Sequence, residues 1–458
     1  MSVAGPTRPL VPTGSTRRTR TRSAMAGLVV GLAVAALATG AGLRAQGLSA
    51  NDSQRVKRML QDAYEVVKKQ YYDTRYHGLD WDGRYREYQG KVNAAASLNQ
   101  AVTLIAAFLD GLHDSHTSFY PPARPYRVDY GYRLKVIGDA VFVTSIPEDS
   151  DAAATLHPGD EVLAVNGGPV TRETFHTMRY VLGALSPQPS TRLVVRDPAG
   201  ATRELTVQAK VTPGRQLRDL TGAARGAELD DLILEGQRER EALRSRVVEV
   251  GDVMIWRLPE FIQEDHETDA LFARARTHAS LILDLRGNPG GLVVTLQRML
   301  GNVFDRDVAI GDRVSRGHYS ALTAKSRGAD AYGGRLIVLV DSASASSSEI
   351  FARVVQIEQR GAVMGDRSAG AVMEARMFPF AQGAQFAVVY GFSVTSADLV
   401  MTDGRSLERA GVVPDHVVLP TPADLVERRD PVLARAAALV GLDLDPAAAA
   451  RIFDPAGR

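Results

Sequence analysis

The chain has 458 residues, of which 45% are hydrophobic and 23% charged, with a formal net charge of +1 and no cysteine. This is the composition of a folded globular protein too long for one ordinary core, so two or three domains are expected. A near-neutral balance argues against nucleic acid as a partner, and the missing cysteines exclude disulfides, thiol nucleophiles and Cys-ligated metal centres.

The N-terminus places a basic block, "RRTRTRS" (Arg17–Ser23), before the uncharged apolar run "AMAGLVVGLAVAALATGAGL" (Ala24–Leu43) and the exit "LRAQG". That order is a secretory signal with cleavage after Ala45; the run is also long enough to serve as an uncleaved membrane anchor. Residues 1–45 are therefore read as a signal peptide or inner-membrane anchor of an exported, periplasmic or secreted protein. Residues 46–120 form an N-terminal helical domain. In "SQRVKRMLQDAYEVVKKQYY", Val56, Met59, Leu60, Ala63, Val66 and Val67 make one stripe, with Asp52 or Ser53 as cap. "LNQAVTLIAAFLDGL" is a second helix, ended by "HDSHTSFYPP".

From 126 to 212 the pattern changes to short strands. "YRLKVIGDAVFVTSI" turns at Gly138-Asp139, "RETFHTMRYVLGAL" is a helix, and "TRLVVRDPAGATRELTVQAKV" is a hairpin. With "PGDEVLAVNG" (Pro158–Gly167) this stretch resembles a PDZ domain. The resemblance implies that Gly131, Tyr132, Arg133 and Leu134 receive a polypeptide C-terminus through backbone N–H groups. A small sandwich that only spaces its neighbours is the plainer alternative. Residues 213–250 are a charged linker or helical arm. From 251 to 430 strands ("DVMIWRL", "SLILDL", "RLIVLV") alternate with helices ("LVVTLQRMLGNVF", "SEIFARVVQIEQRG"), an α/β core with crossover connections. Residues 431–458 are a helical tail.

Two strand–loop–helix junctions in that core carry candidate chemistry. "LVDSASASSSEIF" puts five serines between a buried strand and a helix start, where free N–H groups suit an oxyanion. Ser347 or Ser348 could equally be a simple N-cap with Glu349 in the first turn. "LILDLRGNPGG" ends a strand in a glycine loop whose amides can turn toward a ligand. Asp284 and Arg286 fit an ion pair bracing that loop. The carboxyl ends of neighbouring parallel strands share one crevice, so the two junctions belong together.

"DLRGNPGG", "LVDSASASSSEI" about 55 residues later and "GVVPDHVV" resemble the C-terminal processing (tail-specific) peptidases of peptidase family S41. The resemblance implies a core of ClpP/crotonase-like topology, an α/β multidomain fold, and Ser346 as nucleophile three residues before Glu349. It also implies an oxyanion hole from the amides of Ser347 and of Gly291 or Gly290. One departure matters. The better-known branch carries a lysine base where "GDRSAGAV" has Ala371, and no lysine follows Lys325. Without a base a serine is a poor nucleophile. "LHDSHTSFYPP" resembles the family's Asp-x-His-Thr segment, and Ser115-His116 resembles the Ser-His pair of the tricorn branch. "LERAGVVPD" puts Glu408 at that branch's glutamate.

The expectation is an exported serine endopeptidase using Ser346, with His116 as base and Ser115 and Glu408 in support. It needs no metal or cofactor, and its partners are polypeptide substrates rather than nucleic acid. The alternative is an inactive scaffold that binds peptides or hydrophobic ligands. His113 and His116, spaced i and i+3, could be half a metal site, but no HExxH-type partner appears. Glu349 and Ser368 fit either site-positioning or cap and turn roles. His416 reads as a surface residue at a strand end.

Overall fold

The computed structural model describes residues 48–213, 244–383 and 388–453, so the expected export segment and most of the 213–250 arm lie outside it. Three helices open the described chain: α1 (Ala50–Gln70), α2 (Trp81–Asn93) and α3 (Leu98–Asp110). The stripe Val56, Met59, Leu60, Ala63, Val66 and Val67 is buried as its spacing requires. The cap is Ser49, not Asp52 or Ser53: its side chain accepts from Asp52 N–H, so the helix begins earlier than expected. After α3 the chain turns through residues 111–117 into β1 (Ser118–Tyr120).

A β-rich insert follows, with its own core around Val141, Val143, Leu193 and Val195. The short ribbon β2 (Tyr126–Asp129) with β9 (Lys210–Pro213) closes its neck. Between them β3 (Arg133–Ile137), β4 (Ala140–Ser145), β5 (Glu161–Val165), β7 (Ser190–Arg196) and β8 (Thr202–Gln208) form a sheet in that order, with β6 (Gly168–Pro169) beside β5. The helix α4 (Arg172–Tyr180) lies between β6 and β7 in sequence. Among the described residues β3 pairs with no strand but β4, and at its other edge Val136 O meets Ser342 Oγ of the core (2.6 Å).

The third unit is the sheet β10 (Arg246–Val250), β11 (Val253–Arg257), β12 (Ser280–Asp284), β15 (Arg335–Val340), β16 (Ala362–Gly365) and β19 (His416–Val417). From β11 onward all pairings are parallel. Leu281, Leu283, Leu336 and Val338 pack toward α5 (Asp265–Ala275), α6 (Val293–Gly301) and α7 (Ser347–Ile357). Ile282, Ile337, Leu339 and Met364 face the tail helices α9 (Pro431–Leu439) and α10 (Pro446–Arg451), which follow the short α8 (Pro422–Val426). Both faces are covered, which is why these strands read as continuous apolar runs. The helical, β-rich and α/β order expected from the sequence is the order of the structure.

One sheet had no counterpart in the sequence reading. β13 (Val308–Ser315), β14 (His318–Ala324), β17 (Glu374–Gln382) and the long β18 (Val388–Met401) join β1 in an antiparallel array. Phe392 stacks on Phe119 at ring-centroid separation 5.2 Å, locking β1 to β18. This sheet ties the N-terminal helices to the core and carries residues 114–120 to the edge of the crevice.

Candidate active site

β12 and β15 lie side by side with Asp284 opposite Leu339, so the glycine loop and the serine loop leave the sheet as neighbours. Asn288 fastens them: its carbonyl accepts Ala345 N–H (2.9 Å) and Ser348 Oγ (3.0 Å), and its Nδ2 donates to Leu258 O (2.8 Å). Asp341 adds a second fastening by accepting from Gly287 N–H (2.9 Å) and Ala343 N–H (3.0 Å). Behind the loops, Asp284 and Arg286 form the expected brace. Arg286 also grips Asp430 through two 2.8 Å bonds, and Arg257 joins Asp284 at 3.0 Å. Burial alone would raise the Asp284 carboxyl, but these guanidinium groups hold it well below the usual carboxylate range.

The five serines of the loop have distinct partners. Ser344 Oγ donates to Leu285 O (2.8 Å), Ser348 Oγ to Asn288 O (3.0 Å), Ser347 Oγ to Gly291 O (3.2 Å), and Ser342 Oγ to Val136 O of the insert (2.6 Å). Ser346 differs. It is the N-cap residue of α7, so neither Ser347 nor Ser348 caps the helix, and its backbone N–H is met by Glu349 as in a capping box. Its backbone has φ 55° and ψ −120°, a strained conformation for a residue with a Cβ. A strand–helix elbow of this kind lifts a hydroxyl clear of its own turn.

Gly290 is required here, because a Cβ on it would lie 2.6 Å from Ser346 Cβ. Gly291 is pinned against Phe261, where a Cβ would meet the carbonyl oxygen at 2.3 Å. The two alternatives for the oxyanion hole therefore separate. Gly290 N–H donates to Asn288 Oδ1 (2.8 Å) and is already engaged, which removes it from the expected pair. The N–H groups of Gly291 and Ser347 make no such bond.

Glu349, fully buried, organises the other side. Its Oε2 accepts from Ser346 N–H (3.1 Å) and Ala371 N–H (2.8 Å), and its Oε1 from Ser368 Oγ (2.5 Å) and Gly370 N–H (2.7 Å). Burial pushes its carboxyl up, and the four donors partly offset that. Between cap and site-positioning, Glu349 and Ser368 do both. Ala371, where the lysine-bearing relatives differ, contributes its peptide group. That carbonyl accepts Ser346 N–H (2.8 Å), and the N–H of the same peptide, on Val372, donates to Glu408 Oε2 (3.2 Å). Two hydrogen bonds and one peptide group, a path of about 8 Å at most, separate Ser346 N from Glu408.

Glu408 in turn holds the loop before β1. Its Oε1 accepts Ser115 N–H (2.7 Å) and its Oε2 accepts Ser115 Oγ–H (2.9 Å), while Ser115 Oγ lies 2.7 Å from His116 Nδ1. A hydroxyl has one proton. With it given to Glu408, Ser115 Oγ accepts from His116 Nδ1–H, which leaves the Nε2 lone pair unprotonated. Burial lowers the His116 imidazole, Asp114 partly counters this, and His176 on α4 adds to the lowering. Glu408 is pushed up by burial against the pull of its three donors. The structure thus brings together Ser115, His116 and Glu408, and joins them to Ser346 through the 371–372 peptide.

Other sequence candidates fall elsewhere. His113 is exposed with φ 56°, and His416 is exposed on β19. Among the described residues no three His, Cys, Asp or Glu are grouped to hold a metal. In the insert, Gly131 N–H is taken by Asp129 Oδ1 (3.1 Å), and the Tyr132 side chain is buried with its hydroxyl on Thr191 (2.9 Å). Gly131 N–H is therefore engaged within the loop, while the Tyr132 side chain belongs to the insert's core. The sequence reading missed Thr395 and the α4 contacts, and gave Asp114, the first residue of the Asp-x-His-Thr segment, no role of its own. Arg172 of α4 reaches Asp366 (2.7 Å) and Arg367 O (3.0 Å), and Tyr180 at its other end donates to Phe119 O. The unused signal for Asp114 was its place two residues before His116.

Residues 252–418 match peptidase family S41, and residues 52–108 match the tricorn protease C1 domain. A carboxyl-terminal-processing protease of Synechocystis sp. is 22% identical over 374 residues, covering 79% of this chain and 81% of its own. The carboxy-terminal processing protease CtpB of Bacillus subtilis is 22% identical over 371 residues, covering 79% and 68%. A chloroplastic C-terminal processing peptidase of Tetradesmus obliquus is 26% identical over 392 residues, covering 79% and 77%. Among solved structures, mature CPAF shares the fold at TM-score 0.62 and 16% identity, over 89% of this chain and 99% of its own. The chain carries a peptidase family S41 match over residues 252–418, is similar along most of its length to carboxyl-terminal-processing proteases, and is a serine-type peptidase.

Proposed function

We propose that the protein is an exported endopeptidase that cleaves polypeptides through an acyl-enzyme on Ser346. Ser346 Oγ attacks the scissile carbonyl carbon while its proton passes to His116 Nε2. The developing oxyanion is met by the N–H groups of Gly291 and Ser347 at the α7 N-terminus. His116 returns the proton to the leaving amine, then takes one from the water that hydrolyses the ester. Glu408, acting through Ser115, fixes the imidazole tautomer and offsets the charge of the imidazolium. The observation that carries this reading is the hydrogen-bond chain from Glu408 through Ser115 Oγ to His116 Nδ1. A fluorophosphonate probe should label the wild-type protein and neither Ser346→Ala nor His116→Ala. Labelling that survives the serine change removes the nucleophile; labelling that survives the histidine change removes the base.

The acid limb of kcat/KM for a peptide substrate should fall below pH 6.5, the ordinary histidine value, because burial favours the neutral imidazole. The sign is fixed: a base with lowered pKa stays unprotonated, and active, further into acid. A limb at or above 6.5 would assign the titration to another group.

The insert serves, in the same reading, as a PDZ-like strand acceptor for the substrate. Its β3 edge away from β4 supports this. The Gly138-Asp139 turn makes Ile137 and Ala140 a bonded pair, so Leu134 and Val136 aim their backbone groups away from β4; Val136 O is taken by Ser342 Oγ (2.6 Å), which leaves Leu134 as the pairing position. N-methylating alternate residues of a bound peptide should weaken it by about 1 kcal/mol per lost bond. Equal affinity for every methylated peptide, measured by titration calorimetry, would rule out strand addition.

A further inference from the structure

Asp114 has no part in the transfer just described, yet it is the most heavily engaged group in the base's loop. Its Oδ1 accepts from His116 N–H (2.9 Å), Thr117 N–H (2.6 Å) and Thr395 Oγ1 (2.8 Å). Its Oδ2 accepts from Thr117 Oγ1 (2.9 Å). All four partners are donors, the pattern an acceptor-only carboxylate satisfies. Three come from the turn that presents His116. One comes from β18, 281 residues away, and Thr117 Oγ1 closes the ring by accepting Thr395 N–H (3.1 Å). Residues 114–117 are otherwise a loop, held besides this clamp by Glu408 at Ser115.

We propose that Asp114 is a positioning residue that locks the Ser115–His116 turn to β18 and places a second carboxylate beside the imidazole. The inference rests on the Ser346–His116 reading above. Glu408 meets the imidazole only through a hydroxyl. Asp114 is fixed to the base's own backbone, so its charge accompanies His116 wherever the turn goes. The charged and titratable groups around this pair are Glu408 behind Ser115, His176 on α4, and Tyr71 and Tyr72 at the end of α1. Both phenols are pushed up, Tyr71 by burial and then Asp114, Tyr72 by burial, then Asp398 and Asp114, and so stay neutral and compatible with these carboxylates. With His176 opposing and Asp114 supporting the imidazolium, removal of Asp114 has a definite sign.

Asp114→Asn is expected to lower kcat for a peptide substrate by about 10²-fold with KM within twofold. It should also move the acid limb of kcat to lower pH, because the imidazolium loses a neighbouring negative charge. Loosening of the fold alone would lower Tm without that displacement. A kcat within twofold of wild type, or an unmoved limb whatever the Tm, overturns the proposal. Should Asp114→Asn fail to fold, Thr395→Val keeps the carboxylate and removes its tie to β18. It is expected to lower kcat about tenfold with the limb unmoved, and wild-type kcat overturns the positioning role. Wild-type turnover that persists in Ser346→Ala would instead sink the underlying site assignment, whatever Asp114 does.

Discussion

Ser346→Ala is expected to lower kcat for peptide hydrolysis by about 10⁶-fold while leaving Tm within a degree or two of wild type. The two halves of that expectation have different causes. The loss follows because the hydroxyl is the only nucleophile the elbow presents. The other four serines of the loop donate to Leu285, Asn288, Gly291 and Val136 carbonyls and are held as structural ties. The unchanged stability follows because Glu349 N–H already donates to the Ser346 carbonyl (2.9 Å) and does not depend on the hydroxyl, and alanine bears the same backbone strain at φ 55° as serine does. Ser344→Ala is the internal control. Ser344 Oγ is buried, donates to Leu285 O and accepts Asp341 N–H (2.9 Å), so its removal should cost about 1–3 kcal/mol. A Ser346→Ala protein that keeps activity within tenfold, or melts as low as Ser344→Ala, contradicts the separation of roles drawn for this loop.

What the sequence disclosed was chemistry with a local signature. The strands flanking the serine and glycine loops are apolar runs bounded by turn residues, and their neighbours follow from the parallel order of crossovers. Ser115, His116 and Glu408 were legible only through family likeness, since 293 residues separate Ser115 from Glu408 and no periodicity spans that gap. The antiparallel sheet was illegible for a physical reason. β14 is exposed along nearly all its length, and β13 and β18 bury residues on both faces, so neither shows clean alternation. α2 was lost in the same way: Trp81, Tyr88 and Val92 are its only buried residues, and Gly83 and Gly90 mask their common face. The elbow at Ser346 carries no signal in residue type. Serine looks like an ordinary cap until its dihedral angles are known.

Glu349→Gln, though nearly isosteric, is expected to lower kcat by about 10²–10³-fold and to destabilise the fold by about 3 kcal/mol. Each carboxylate oxygen accepts two donors: Oε2 takes Ser346 and Ala371 N–H, and Oε1 takes Ser368 Oγ and Gly370 N–H. An amide replaces one oxygen with a group that can only donate. Facing Oε2's partners, its NH2 meets two backbone N–H groups that cannot turn away. Facing Oε1's partners, Ser368 Oγ could rotate, but it already accepts Val412 N–H (2.6 Å), and Gly370 N–H still points inward. Either orientation leaves buried donors unpaired and pushes the Ala371–Val372 peptide outward, and that peptide links Ser346 to Glu408. Acid should mimic the substitution. Burial raises the Glu349 carboxyl, so on acidification it gains a proton above the ordinary value of 4.5, and its O–H then confronts the same donors. For stability the sign runs the other way. A raised carboxyl binds its proton more tightly in the folded chain, so this group's contribution is largest below 4.5 and is lost as pH climbs through the folded value. Activity and stability should therefore diverge in mild acid for the wild type and not for Glu349→Gln, which has no proton to bind. Parallel pH profiles of kcat and Tm for the two proteins test this. Identical profiles would show that the carboxylate does not hold the loop.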